Sequence, residues 1–480
     1  MKSCSRAFAV LGLTVMLLPV SGQVLAAPGD TTRVSLNSSA NEGNSRSAFP
    51  TVSAGGRYVG FFSHADNLVA GDTNGVADIF VRDRQTGITT RVSLDSIGNE
   101  ANAPSYGPSI SADGRYVAFQ SSADNLVTGD TNGVMDVFVH DRQTGTTTRV
   151  NLDSAGNEGN ALSYAASISA DGRYVAFESN ADNLVAGDTN GVADIFVRDR
   201  QTGTTTRASL DSANNEGNNT SSGASISGDG RYVVFHSYAT NLVTGDTNNV
   251  PDVFVRDRQT GTTTRISLDS ADIGGNGAST WGTTSTDGRY VAFYSRADNL
   301  VAGDTNGQSD VFVRDRQTGT TTRVSLDSAN NEAIGGSSRF PTLSADGRYV
   351  AFVSSADNLV AGDTNNTDDV FVRDRQTSTT FRVSLDSTDD EGNRASLSPV
   401  MSADGRYVAF DSYADNLVTG DTNGHQDVFL RELLGAGGSS TAPIPTLGQW
   451  GLIALGLMLG GLGAFAGRQR LRSGDTGASS

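Results

Sequence analysis

The residues best equipped for chemistry recur in one loop, Gly-Asp-Thr-Asn-Gly-x-x-Asp, which first occurs as Gly71-Asp72-Thr73-Asn74-Gly75-Val76-Ala77-Asp78. Oxygen-bearing side chains at Asp72, Asn74 and Asp78, with a glycine after Asn74, suit Ca2+, which takes about six to eight oxygen ligands. The same triplet stands at Asp130, Asn132 and Asp136, at Asp188, Asn190 and Asp194, at Asp304, Asn306 and Asp310, and at Asp421, Asn423 and Asp427. Two carboxylates per loop predict weak affinity of the extracellular type. The competing reading is structural: Asp72 and Asn74 make Asx-turns and Asp78 opens a strand. Two loops depart from the pattern. The fourth unit has Thr240, Asn249 and Pro251, and the sixth has Asn366, Thr367 and an extra Asp368.

The remaining reactive residue types form no constellation. His64, His140, His236 and His425 fall at unrelated positions, so neither a metal site nor a triad is expected from them. The recurring Arg-Asp-Arg, as in Arg82-Asp83-Arg84, reads as an exposed ion-pair ladder of modest worth. A glycosidase needs one distinct carboxylate pair, whereas these carboxylates come in equivalent copies.

The elements that must position the loops are set by a repeat. The nine residues Ser111–Phe119 recur in close variants, with their arginine at Arg57, Arg115, Arg173, Arg231, Arg289, Arg348 and Arg406. A constant interval, 58 residues with a single 59, marks a stacked or circular architecture. The second unit parses into four strands: Pro108–Ser111, Arg115–Ser121, Asp136–Asp141 and Thr147–Leu152. Asp113-Gly114 and Thr144-Gly145 are hairpin turns between them, so the unit is an antiparallel meander. In its fourth strand Val150 and Leu152 point one way, and Arg149 and Asn151 form a wet face. The short, small-residue first strand suits crowding near an axis.

Seven such meanders predict an all-β, seven-bladed β-propeller over residues 31–434. The chain starts on a fourth-type strand, Thr32–Leu36, and ends on a third-type strand, Asp427–Leu430. The leading strand therefore completes the last blade and leaves no open edge. The pattern Ser-Ala-Asp-Gly-Arg-Tyr-Val-Ala-Phe followed by Asp-Val-Phe-Val-Arg-Asp resembles the WD-repeat-like β-propeller family typified by the periplasmic protein TolB. That likeness implies a fold and leaves the function open. Antiparallel order puts the long second-to-third and fourth-to-first loops on one face and both tight turns on the other. In unit two the long-loop face carries Asp124, Asp130, Asp136, Asp153 and Glu158, with only amides and hydroxyls expected between them. Departures from the repeat are few: Trp281, the insertion at Arg339-Phe340-Pro341, Arg46 and Arg394. Trp281, Arg339 and Phe340 are the candidate ligand patch at the mouth of the axis, with Trp281 as a stacking platform.

Composition narrows the partners. A net charge of −18 excludes nucleic acid, which needs clustered cations. Residues 1–26 read as a secretory signal: Lys2 and Arg6, an apolar stretch, then Val24-Leu25-Ala26. The one cysteine, Cys4, lies in that signal, so the mature chain holds no disulfide. Beyond a Gly/Ser linker (435–443), residues 444–472 contain Ile444-Pro445-Thr446-Leu447, an apolar run of transmembrane length from Trp450 to Gly467, and Arg468, Arg470 and Arg472. This segment resembles the IPTL-type C-terminal sorting signals of Gram-negative bacteria. The resemblance implies export, transient insertion in the inner membrane, and transfer to the cell surface or matrix by a processing enzyme. A permanent membrane anchor is the alternative. The expectation is a non-enzymatic scaffold binding a protein or glycan through its acidic loop face, with Ca2+ as the candidate stabilising ion. The alternative is an envelope polysaccharide hydrolase or lyase on the same fold.

Overall fold

Middle strands of the type Tyr-Val-Ala-Phe and Asp-Val-Phe-Val-Arg-Asp are buried on both sides, which is why they read as continuous apolar runs. In the computed structural model, which describes residues 29–433, they form the centres of seven four-stranded antiparallel sheets. The result is the seven-bladed propeller. Blade two consists of Ser105–Ile110, Tyr116–Ser121, Asp136–Asp141 and Thr146–Arg149. First strands of neighbouring blades touch one another all the way round, so they line the axis. Blade seven closes the ring. Its fourth strand is Thr31–Arg33, antiparallel to Asp427–Glu432, with Thr31 opposite Arg431 and Arg33 opposite Phe429. The secretory signal, the linker and the sorting segment with its apolar run lie outside the described residues.

The core is divided among the joints between blades. In the joint between blades one and two, Ile79 and Val81 of one blade pack on Val117, Phe119 and Phe138 of the next. Inside each blade a stacked Phe pair bridges the second and third strands, as Phe119–Phe138 at 5.9 Å. The tight-turn side of each joint is sealed by a tyrosine. The Tyr58 ring lies between the guanidinium of Arg57, 4.8 Å above it, and that of Arg142 from the next blade at 4.7 Å. Gly114 sits against the same ring in the left-handed region (φ 76°), where a Cβ would fall 2.1 Å from it. The Asp-Gly turn thus needs its glycine both for conformation and for contact. At the joint between blades six and seven, Leu433 joins the cluster packed against Tyr349.

Three expectations are corrected. The first strand begins at Ser105 rather than Pro108 and carries a bulge between Tyr106 and Ser109. The fourth strand is Thr146–Arg149, and its solvent side is the opposite one. Thr146 and Thr148 are exposed, while Thr147, Arg149 and Asn151 are buried, because the following loop folds back over that side. The Arg-Asp-Arg run is no exposed ladder. Arg82 and Asp83 are buried, and each of the three residues serves a separate contact. Arg82 donates to the Asn37 carbonyl of the preceding blade (2.7 Å), Asp83 accepts a bidentate pair from Arg57 (3.0 and 2.8 Å), and Arg84 stacks on Tyr407 at 4.7 Å.

Candidate functional site

The long-loop face gathers the predicted loop residues, as antiparallel order requires, but around a residue that the loop pattern does not contain. In blade one the Arg91 Nη1 lies 3.1 Å from Asp72, 3.2 Å from Asp78 and 2.9 Å from Glu100. Arg149 is placed likewise among Asp130, Asp136 and Glu158, Arg207 among Asp188, Asp194 and Glu216, and Arg323 among Asp304, Asp310 and Glu332. Arg382 completes the sixth cluster. In the seventh, Arg33 and Glu42 from the beginning of the chain meet Asp421 and Asp427 from its end. The expectation of only amides and hydroxyls between the acids is therefore overturned, since each acidic loop holds its own cation.

This geometry bears directly on Ca2+. Carboxylate oxygens of Asp130, Asp136 and Glu158 converge within 4.8 Å, as do those of Asp363, Asp369 and Glu391. A metal would sit where they converge, at about 2.3–2.6 Å from each. A guanidinium nitrogen already stands there. The asparagines are also engaged. Asn74 Oδ1 accepts the Val76 N–H (3.0 Å) in an Asx-turn, and its Nδ2 donates to Asp78 (2.8 Å) and to the Ala101 carbonyl (3.0 Å). Asn132, Asn190, Asn306 and Asn423 repeat the bond to the loop's last aspartate. Burial, reinforced by the neighbouring carboxylates, pushes Asp72, Asp130, Asp188, Asp304 and Asp421 up to about 6, against the pull of the arginine. Glu100 and Glu158 move down, chiefly through hydrogen bonds from Thr73 and Thr131. Blade four lacks the glutamate: Gly274 stands there, and Arg265 fills the space so closely that a Cβ would fall 1.8 Å from it.

At the axis the seven units stop being copies. The bulge of every first strand holds one residue in the left-handed region: Phe49, Gly107, Ala165, Gly223, Trp281, Phe340 and Ser398. For bulky residues this conformation is costly and persists only where the surroundings enforce it. One part of the ring is small (Gly107, Ala165, Gly223). Elsewhere Phe49, Trp281 and Phe340 are 53%, 51% and 36% exposed. Beside each bulge lies a second-strand residue of the preceding blade, and that position differs in every unit: Phe62, Gln120, Glu178, His236, Tyr294, Val353 and Asp411.

The three predicted patch residues come together here. Trp281 and Phe340 meet edge to face at 5.7 Å, and the Arg339 guanidinium lies 5.8 Å from the Phe340 ring. Arg339 also pairs with Asp368 at 2.7 Å, so two departures from the repeat compensate each other. His236 lies 6.3 Å from Trp281, and burial lowers its pKa to about 4. Arg46 bonds Gln426 (2.7 Å) and lies 5.6 Å from the Phe62 ring. Arg394 pairs with Asp415 among exposed groups. Carboxylates near the axis are held in the joints. Glu178 accepts from Tyr164 (2.5 Å), Ser222 (3.0 Å) and the Gly223 N–H (3.3 Å). Asp411 accepts from the Phe49 N–H and from Gln426, both at 2.8 Å. Sequence reasoning missed Phe49 and the cluster arginines. Aligning the seven units column by column would have exposed the first, because its column reads Phe49, Gly107, Ala165, Gly223, Trp281, Phe340 and Ser398.

Residues 442–470 match the IPTL-CTERM motif, which implies an exported protein sorted to the cell envelope. No curated protein matches the chain. Among solved structures the chain is similar to TolB from Acinetobacter baumannii, at 17% identity over 70% of this chain and 63% of that one, with a TM-score of 0.38. It thus spans less than two thirds of that protein. It is also similar to an oligogalacturonate lyase in complex with manganese (12% identity, 84% of this chain and 93% of that one, TM-score 0.51). A third is the oligogalacturonate lyase from Vibrio parahaemolyticus (11% identity, 81% and 90%, TM-score 0.48). At these identities the likeness shows the propeller fold alone. Among the described residues no helix is long and apolar enough to cross a membrane.

Proposed function

We propose that this chain is a non-enzymatic binding module, displayed at the cell envelope or in its matrix and presenting its long-loop face. The observation that carries the reading is the contrast within one repeat: rim clusters are copied with little change, while the axis-facing positions differ in every blade. At that variable ring Trp281 stands 51% exposed in a backbone conformation that favours glycine, which supports a ligand-facing role. The chain ends support the same orientation. The Gly29 N–H bonds the Glu432 carbonyl at 2.9 Å, on the tight-turn side, so the chain enters and leaves opposite the long loops. A sorting enzyme acting on residues 444–472, after transient insertion in the inner membrane, would display the propeller outside the cytoplasm.

The alternative, a polysaccharide hydrolase or lyase, needs an unengaged acid or base beside the substrate. Glu178 and Asp411 are already bound as acceptors in the joints and Asp368 pairs with Arg339, which leaves His236, whose buried Nδ1 has no hydrogen-bond partner, as the base beside Trp281 that the test must address. The test is incubation of the full chain with envelope polysaccharides, followed by reducing-end and unsaturated-product assays. Binding without product is the expected result. Product formation abolished by a single carboxylate substitution, or by substitution of His236, would overturn the reading.

A further inference from the structure

We propose that the axial mouth on the long-loop face binds a neutral glycan, with Trp281 and Phe340 as its stacking surface and the Arg339–Asp368 pair as its polar edge. The inference rests on the binding reading above and names the ligand class for that site.

Four observations support it. First, the exposed aromatics are held out at a cost: Trp281 (φ 51°), Phe340 (φ 54°) and Phe49 (φ 49°) occupy a position where two other blades use glycine. Second, the polar side chains Gln120 and His236 pack against the small bulge residues Gly107 and Gly223 of the same ring, so polar groups stand on the ring beside the aromatic side chains. Third, the area is that of a small ligand. An aromatic side chain buries about 150–250 Å2, so the exposed parts of Trp281 and Phe340 offer about 200 Å2, well short of the roughly 800 Å2 per partner of a stable protein interface. The two rings stand edge to face, so each exposed ring face suits the apolar C–H face of a single sugar ring. A planar guanidinium and carboxylate beside it suit vicinal hydroxyls, which accept from one and donate to the other.

Fourth, charge selects among glycans. Arg339 is already neutralised by Asp368, and the rim carries exposed acids such as Asp66, Asp124 and Asp182. With a net charge of −18, the surface field disfavours polyanionic sugars. Mouth and ligand therefore match as two uncharged surfaces.

Only two tryptophans occur in the chain, Trp281 and Trp450, so intrinsic fluorescence reports the site. The full chain is titrated with hexasaccharides of cellulose, starch, chitin, mannan and xylan, and with polygalacturonate and alginate. The expected result is saturable quenching by at least one neutral hexasaccharide and none by the polyanions. Trp281→Gly, which keeps the left-handed conformation, should weaken binding at least tenfold by calorimetry, and Arg339→Ala severalfold. Arg394→Ala, on the exposed rim, should leave binding unchanged. Thermal melts check that each variant is folded.

Failure of every neutral glycan overturns the proposal, as does binding confined to polyanions or undiminished in folded Trp281→Gly. Capture of a peptide at the same mouth overturns the glycan class while the binding reading stands. Turnover of a bound neutral glycan overturns the non-enzymatic reading while this site stands.

Discussion

Rim and axis are made from the same seven units, yet they follow opposite rules. On the rim an arginine lies among buried aspartates in every blade, even in blade seven, where the two halves of the cluster come from opposite ends of the chain. At the axis the residue beside the bulge is different in all seven blades. The difference follows from what surrounds each position. A buried guanidinium among carboxylates tolerates little change, since removing the cation leaves the buried carboxylates uncompensated. An axis-facing side chain meets a neighbour's bulge or open space, and many shapes satisfy that. Blade four shows the limit of rim tolerance: the glutamate is gone, but the arginine and both aspartates remain.

The sharpest way to break the comparison is at the ring's seam. Deleting residues 29–36 removes the closing strand, Arg33 and Val34, leaving a three-stranded blade with an open edge and an unpaired Asp421–Asp427 cluster. Loss of a single cooperative unfolding transition and concentration-dependent association in sedimentation are expected; a monomer melting like the intact chain would refute closure as the source of stability.

Next in size, Arg149→Met should cost about 3–5 kcal/mol in urea unfolding, because it strands three carboxylates. Trp281→Gly should change stability by less than about 1 kcal/mol, relief of the left-handed strain offsetting lost contacts. Equal costs at the two sites would erase the distinction. In the same experiment Ca2+ should not shift the wild-type melt but should partly rescue Arg149→Met, whose carboxylates then lack their cation.

The smallest effect is the pH dependence, which separates rim from turn face. Asp72, Asp130, Asp188, Asp304, Asp363 and Asp421 rise from an ordinary 3.8 to about 6 in the folded state. Between about pH 4 and 6 the native state therefore binds more protons than the unfolded one, and stability falls as pH rises through that window. On the tight-turn face, hydrogen bonds from Arg115 and Arg289 hold Asp141 and Asp315 at about 2. Their contribution is present above about pH 4 and is lost as pH falls through 2. The melting temperature should thus be higher at pH 5 than at pH 7 and decline below pH 4. A monotonic rise from pH 4 to 7 would contradict the burial of the rim aspartates.

Much of this was legible in one dimension. The interval between Arg57 and Arg115, repeated to Arg406, gave the blade number, and the strand types at the two ends gave the closure. The gathering of Trp281, Arg339 and Phe340 was legible as departures from the repeat. Arg149 was misread for a physical reason. Alternation along Thr147–Leu152 assigns faces correctly only while one face meets water, and here a loop returns over it.

The order of strands and the two opposed faces belong to the sequence itself, because periodicity and turn chemistry act between near neighbours, and the seal follows from the strand types at the two ends of the repeat. Which charges meet was decided by the tertiary structure. Glu100 reaches Thr73 and Arg91 across a loop, and Arg33 reaches Asp421 across nearly the whole chain, and no local pattern encodes such a distance.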